Sequence, residues 1–85
     1  MEMMGIMISE RLKKVILREL DLDDFDIVES TSADMVPGWD SLNHARIIAA
    51  VEDAFGVRFR TVELIALRNV GELQELIDKR NRDRP

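Results

Sequence analysis

The run SLNHARIIAAVEDAF, residues 41–55, constrains the fold more than any other stretch, because residues that start and stop helices bound it at both ends. Asp40 and Ser41 are both favoured N-cap types, and Gly56 suits the left-handed position that closes a helix. At 100° per residue, Ile47, Ile48, Val51, Ala54 and Phe55 share one broad side, so this side must be buried against a core. His44 falls toward the same side and reads as a boundary histidine. Leu42, Ala45 and Ala49 lie opposite, beside Arg46, Glu52 and Asp53. That smooth apolar strip with charged edges suits a reversible protein contact, and it is equally what plain helix-forming alanines produce.

The remaining elements are arranged around this helix. Leu12, Val15, Ile16, Glu19 and Leu20 recur near helical spacing after Ser9 and Glu10, predicting a first helix over residues 8–20. Residues 21–40 hold several aspartates, Pro37 and Gly38 with no sustained period. A connection that long inside a small domain needs its own anchors, and Phe25, Ile27, Met35, Val36 and Trp39 are the candidates. Thr61 is expected to cap a short helix through VELIALR, with Glu63 near its start. A last helix is expected from Val70 or Gly71 to Arg80, with Leu73, Leu76 and Ile77 as its apolar stripe and Lys79, Arg80 and Arg82 near its negative dipole end. No stretch alternates with the period of a strand. The expectation is an all-α, small four-helix bundle, three longer helices and one short, with a long loop between the first and second. Residues 1–7 read as a flexible leader, 8–80 as the helical domain and 81–85 as a basic C-terminal tail.

Composition narrows the function. With 85 residues the chain has room for one modest core and is expected to be monomeric. A net charge of −5 disfavours nucleic acid as a partner, since affinity for polyphosphate comes from lysine and arginine. The chain has no cysteine and one histidine, which argues against a transition-metal site. Asp21, Asp23, Asp24 and Asp26 lack the spacing, glycine and terminal glutamate of a calcium loop. No apolar run approaches the roughly 20 residues that span a bilayer, and the leader has no positive n-region, so no membrane insertion and a cytoplasmic location are expected. Asp40, Ser41 and His44 invite comparison with a hydrolytic triad. Contiguous placement at one helix start supplies neither an oxyanion hole nor a substrate pocket, so no catalytic residue is expected.

Ser41 then has two readings. It caps the helix, or Asp40 caps it and the Ser41 hydroxyl is left exposed in the first turn. In the second case a phosphate on that hydroxyl would lie against free N–H groups at the positive end of the helix dipole.

GWDSLNHARIIAAVEDAFGVRF resembles the phosphopantetheine attachment region of acyl carrier proteins: D-S-L at a helix start, an apolar and acidic helix, and an F-G-V exit, at Asp40, Ser41, Leu42, Glu52, Asp53, Phe55, Gly56 and Val57. The likeness in helix order extends from residue 8 to about residue 80. It implies that a phosphopantetheinyl transferase, using coenzyme A and magnesium, attaches 4′-phosphopantetheine covalently to Ser41, within a motif completed by Asp40 and Leu42. Asp40 would by analogy help position the metal in that transferase complex. The arm would supply the thiol that the cysteine-free chain lacks and carry acyl groups as thioesters. The resemblance further implies a carrier that is not an enzyme. It would dock on acyl-activating, acyltransferase or synthase enzymes through a second-helix face containing Leu42, Ala45, Arg46, Ala49 and Asp53.

The chain departs from carriers of ordinary fatty-acid synthesis, which have acids soon after D-S-L where this chain has Asn43 and Arg46. That difference suggests a specialised fatty-acid, polyketide, lipid or polysaccharide pathway. Two alternatives remain open at this point: a peptidyl or aminoacyl carrier, and an unmodified helical interaction module in which Ser41 serves only as a cap.

Overall fold

The protein is described by a computed structural model over residues 8–23 and 25–82. The leader assigned to residues 1–7 and the end of the basic tail lie outside the described residues.

Four α-helices follow one another: α1 (Glu10–Glu19), α2 (Ser41–Phe55), α3 (Thr61–Ile65) and α4 (Val70–Arg82), with one 3-10 turn (Ala33–Met35) inside the first loop. There is no strand among the described residues, and the all-α bundle of three longer helices and one short one is observed. Helix α1 is shorter than residues 8–20. Ser9 stands outside it as the N-cap, its side chain accepting from the Leu12 N–H. At the other end Asp21 takes φ 57° while Leu22 N–H donates to Leu17 O, which ends the helical path. Helix α2 keeps the bounds read from sequence, closed by Gly56 at φ 65° and ψ 37°.

The core is one cluster. Leu12, Ile16 and Leu20 of the α1 segment meet Ile47, Ile48 and Val51 of α2 and Val70, Leu73 and Ile77 of α4, and Ile27 and Val36 of the loop complete it. Burying a side chain of this size is worth about 1.5–3 kcal/mol relative to exposure, so the loop's two buried residues are substantial contributors. Helices α1 and α2 form the most extensive helix pair.

The long loop is held by hydrogen bonds as well as by apolar anchors. The first two N–H groups of α4 donate to it, Val70 to Thr31 O and Gly71 to Glu29 O, both at 2.8 Å. These are donors that a helix start cannot satisfy internally, so the loop and α4 satisfy one another. Thr31 is buried, and its Oγ1 accepts from Val28 N–H at 3.0 Å. Gln74, also buried, accepts from Ser9 N–H at 3.0 Å and donates to Asp78 at 3.0 Å, tying the start of α1 to α4.

Four further expectations are corrected. Met35 does not anchor the loop: it ends the 3-10 turn with 60% of its surface exposed, and Ile27 and Val36 take the interior positions. Thr61 does not cap α3. It is the first helical residue, and Arg60 is the N-cap, its backbone N–H donating to the Glu63 carboxylate at 2.8 Å. Helix α3 then stops at Ile65, short of Arg68. Helix α4 runs two residues beyond Arg80, and Arg80 folds back, donating through Nε to Arg58 O at 3.1 Å and pairing with Glu63.

Candidate functional site

The end of the loop is a tight turn. Trp39 N–H donates to Val36 O at 3.2 Å across Pro37 and Gly38, and Gly38 has φ 81°. Proline second and a positive-φ residue third is the pattern of a type II turn, which only glycine enters without strain. The turn delivers the chain to Asp40. Its Oδ1 accepts from Asn43 N–H at 2.9 Å and its carbonyl from His44 N–H at 2.8 Å, so Asp40 is the N-cap of α2. Asn43 reaches back, its Nδ2 donating to Gly38 O at 2.7 Å, which fixes the turn against the helix. Nothing in the sequence pattern marked Asn43 for this position; an amide three residues after a capping acid is the signal that was available.

Ser41, immediately inside the helix, is exposed. Of its two readings the structure selects the second, with Asp40 as the cap and the serine hydroxyl outward. Asp40 engages the N–H groups of Asn43 and His44 and leaves those of Ser41 and Leu42, where the positive end of the helix dipole lies. The N–H groups at the start of α2 and the positive end of its dipole make this corner a favourable surrounding for an anion. Ser41 lines an open surface groove with Ala33, Asp34, Trp39, Asp40 and His44.

His44 is engaged with Trp39. Its Nδ1 accepts from the Trp39 indole Nε1–H at 3.1 Å, and the two rings stack with centroids 6.1 Å apart and planes at 29°. Trp39 and His44 are both half-buried. Among the described residues there is no cluster of three or more histidine, cysteine or acidic side chains able to hold a metal ion.

The face expected to meet partners is exposed along its length: Leu42 at 63%, with Ala45, Arg46, Ala49 and Asp53. Glu52, read as part of the charged edge, has a local task instead. Its carboxylate accepts from Phe59 N–H at 2.9 Å and faces Arg58 at 3.7 Å, pulling the chain back after Gly56. Two exposed apolar residues of α3, Val62 and Ile65, were not singled out in sequence. Among the described residues Glu63 has a displaced titration: the Arg60 backbone N–H and then the Arg80 guanidinium hold its carboxyl below the usual carboxylate range, against the opposing effect of desolvation.

Comparison with known proteins bears on this geometry. A family model described as "Phosphopantetheine attachment site" matches residues 10–77. The solution NMR structure of a holo acyl carrier protein from Geobacter metallireducens superimposes with a TM-score of 0.81 at 33% sequence identity, covering 86% of this chain and 84% of that one.

Proposed function

The chain belongs to the phosphopantetheine attachment family, and from that premise we propose that Ser41 is the residue that carries the arm. The protein is an acyl carrier with a covalently held phosphopantetheine, not an enzyme, and it works with phosphopantetheinyl transferases and acyl-handling enzymes. The bound arm supplies a terminal thiol on which acyl groups are carried as thioesters. The observation that supports Ser41 is the division of labour at the start of α2: Asp40 is occupied with the cap, and the adjacent hydroxyl is exposed with no structural duty.

The other residues of this corner present Ser41. The Gly38 turn and the Asn43 bond to Gly38 O hold the loop end in one place, so the hydroxyl meets a transferase without a large ordering cost. Asp40 is exposed, and its second carboxylate oxygen lies outside the cap, consistent with a further role toward the transferase's magnesium. Leu42, beside the attachment point, is the apolar centre of the docking face, with Ala45, Arg46, Ala49 and Asp53 around it. Shallow apolar contact with a charged rim gives fast exchange, which a carrier visiting successive enzymes needs.

Arg46 and Asn43 stand where acids would make this face more negative, and they support service to a specialised pathway over the housekeeping synthase. Its cargo would be a fatty-acid, polyketide or lipid acyl group. The test is intact mass before and after incubation with coenzyme A, magnesium and a broad-specificity transferase. Wild type is expected to gain one phosphopantetheinyl group and Ser41→Ala none. A gain in Ser41→Ala refutes the assignment.

A further inference from the structure

The groove at Ser41 is acidic for a place that is to hold a phosphate. Asp34 and Asp40 line it, together with Ala33, Trp39, Ser41 and His44. The helix N–H groups face an anion from one side, so a further donor has to come from these side chains. Three of them carry an O–H or N–H. The Ser41 hydroxyl is consumed by the ester, and the Trp39 indole N–H is already given to His44 Nδ1 at 3.1 Å. His44 remains. An indole N–H only donates, so Nδ1 is the bare nitrogen of a neutral ring and the proton sits on Nε2. His44 follows Ser41 by three residues in α2, which makes the two neighbours on one helix face, with β-carbons about 5–6 Å apart. Long side chains in a helix lean back toward its N-terminus, here over the turn that begins with Ser41.

We propose that His44 is a phosphate-binding residue, donating from Nε2–H to the ester phosphate on Ser41, and that Trp39 is the positioning residue that fixes the ring in the tautomer able to do so. The proposal rests on the carrier reading above and concerns how the root of the arm is held at the surface. Trp39 acts on the phosphate only through His44, by its bond to Nδ1 and by stacking, with ring centroids 6.1 Å apart and planes at 29°. A hydrogen bond to a charged acceptor is roughly twice as strong as a neutral one, and this one offsets the repulsion of Asp34 and Asp40. The charged groups around the ring are Asp34 on the 3-10 turn, Asp40 at the cap of α2 and Arg68 ahead of α4, while α4 faces it with Val70 and Leu73. Carboxylic acids and guanidinium groups ordinarily titrate outside the interval from about pH 5.5 to 7.5, in which a histidine ring changes charge. The phosphate, esterified to Ser41 on one side and to the arm on the other, has no proton to lose there either. The chain has one histidine, so a change at the phosphate across that interval reports the imidazole.

The experiment follows the protein with and without the arm by NMR of the phosphorus nucleus and of the two ring nitrogens of His44. Without the arm at about pH 7.5, the ring should show a bare Nδ1 and a protonated Nε2. Loading should shift Nε2 and leave the indole N–H resonance in place. In the loaded wild type the phosphorus resonance should move between about pH 7.5 and about pH 5.5, in step with the ring nitrogens. His44→Gln keeps an amide donor that does not titrate, so its phosphorus resonance should lie near that of wild type at the higher pH and stay flat on acidification. His44→Leu, with no donor, should be displaced from wild type and flat. Trp39→Phe, which keeps a ring and removes the indole donor, should mix the tautomers and shrink the phosphorus response, and a full response there overturns the part given to Trp39. A flat phosphorus resonance in wild type while the ring titrates overturns the inference, as does an equal movement in His44→Leu or a proton on Nδ1 in the unloaded neutral ring. The wild-type measurements need no substitution, so they decide even if a variant folds poorly. Loading is checked by intact mass beforehand: no gain refutes the carrier reading itself and the inference with it, whereas a gain followed by an overturning pattern refutes the role of His44 alone.

Discussion

Replacing Asp40 and Ser41 one at a time separates structural work from functional work at adjacent positions. Asp40→Ala removes the acceptor of Asn43 N–H, at 2.9 Å in the native protein. Loss of such a cap costs about 1 kcal/mol, and loss of a carboxylate beside the helix dipole about 0.3–1 kcal/mol more. The expected destabilisation is therefore about 1–2 kcal/mol. For a domain of this size each kcal/mol lowers Tm by about 4–8 °C. Ser41→Ala removes an exposed hydroxyl that caps nothing, and alanine is the better helix former by a few tenths of a kcal/mol. Its stability should fall within about 0.5 kcal/mol of wild type. Thermal melts followed by far-UV circular dichroism read both values, and intact mass after transferase treatment reads function. Asp40→Ala should melt earlier by a clear margin, and Ser41→Ala should melt with wild type and take up nothing. Equal destabilisation by the two substitutions would show that Ser41 is structural and that the division of labour is wrong.

Three further outcomes follow from the geometry. At Gly71 an added Cβ would lie 2.8 Å from the Glu29 carbonyl oxygen and 2.9 Å from Glu29 Cβ, and backbone cannot swing aside. Gly71→Ala should therefore lower stability by about 1–2 kcal/mol in urea unfolding despite its gain in helix propensity, and a stabilised variant would refute the close approach. The Glu63 carboxyl has a folded pKa below its ordinary value, so its stabilising contribution is complete above the usual carboxylate range and is lost as pH falls through the lowered value. Melts of wild type and Glu63→Gln should differ at neutral pH and converge in acid, while a constant difference would count against this linkage. Arg46→Glu, on the exposed α2 face, should raise kcat/KM with a transferase or ketosynthase of the fatty-acid type at low salt, with the gain shrinking as salt is added. Unchanged kinetics at every ionic strength would remove Arg46 from the docking surface.

What was legible in the sequence depended on whether the determining residues were local. Helix α2 was readable to the residue because Asp40 and Gly56 act through their own neighbours. The exposed Ser41 was readable as one of two options, since two capping residues in a row leave one to spare. Helix α3 was misjudged because its start is set by Glu63 accepting from Arg60, with Arg80 returning from α4 to the same carboxylate. Thr61, a good capping type, is thereby displaced into the helix. Met35 was misplaced for the same reason, its exposure being set by a 3-10 turn, and the bond from Phe59 N–H to Glu52 likewise depends on the chain's return. The Trp39–His44 bond depends on how the Gly38 turn meets α2, and residue types alone gave only a loop anchor and a boundary histidine.

The central claim is chemical and concerns one oxygen atom, so the most direct measurement is site localisation. After transferase treatment, complete tryptic cleavage gives a peptide spanning residues 19–46 that contains Ser30, Thr31, Ser32 and Ser41 as the possible acceptors. Fragmentation of that peptide in a mass spectrometer assigns the added group to one of them. The carrier account predicts phosphopantetheine on Ser41 alone; a group on Ser30, Thr31 or Ser32, or no modified peptide after complete treatment, would contradict it.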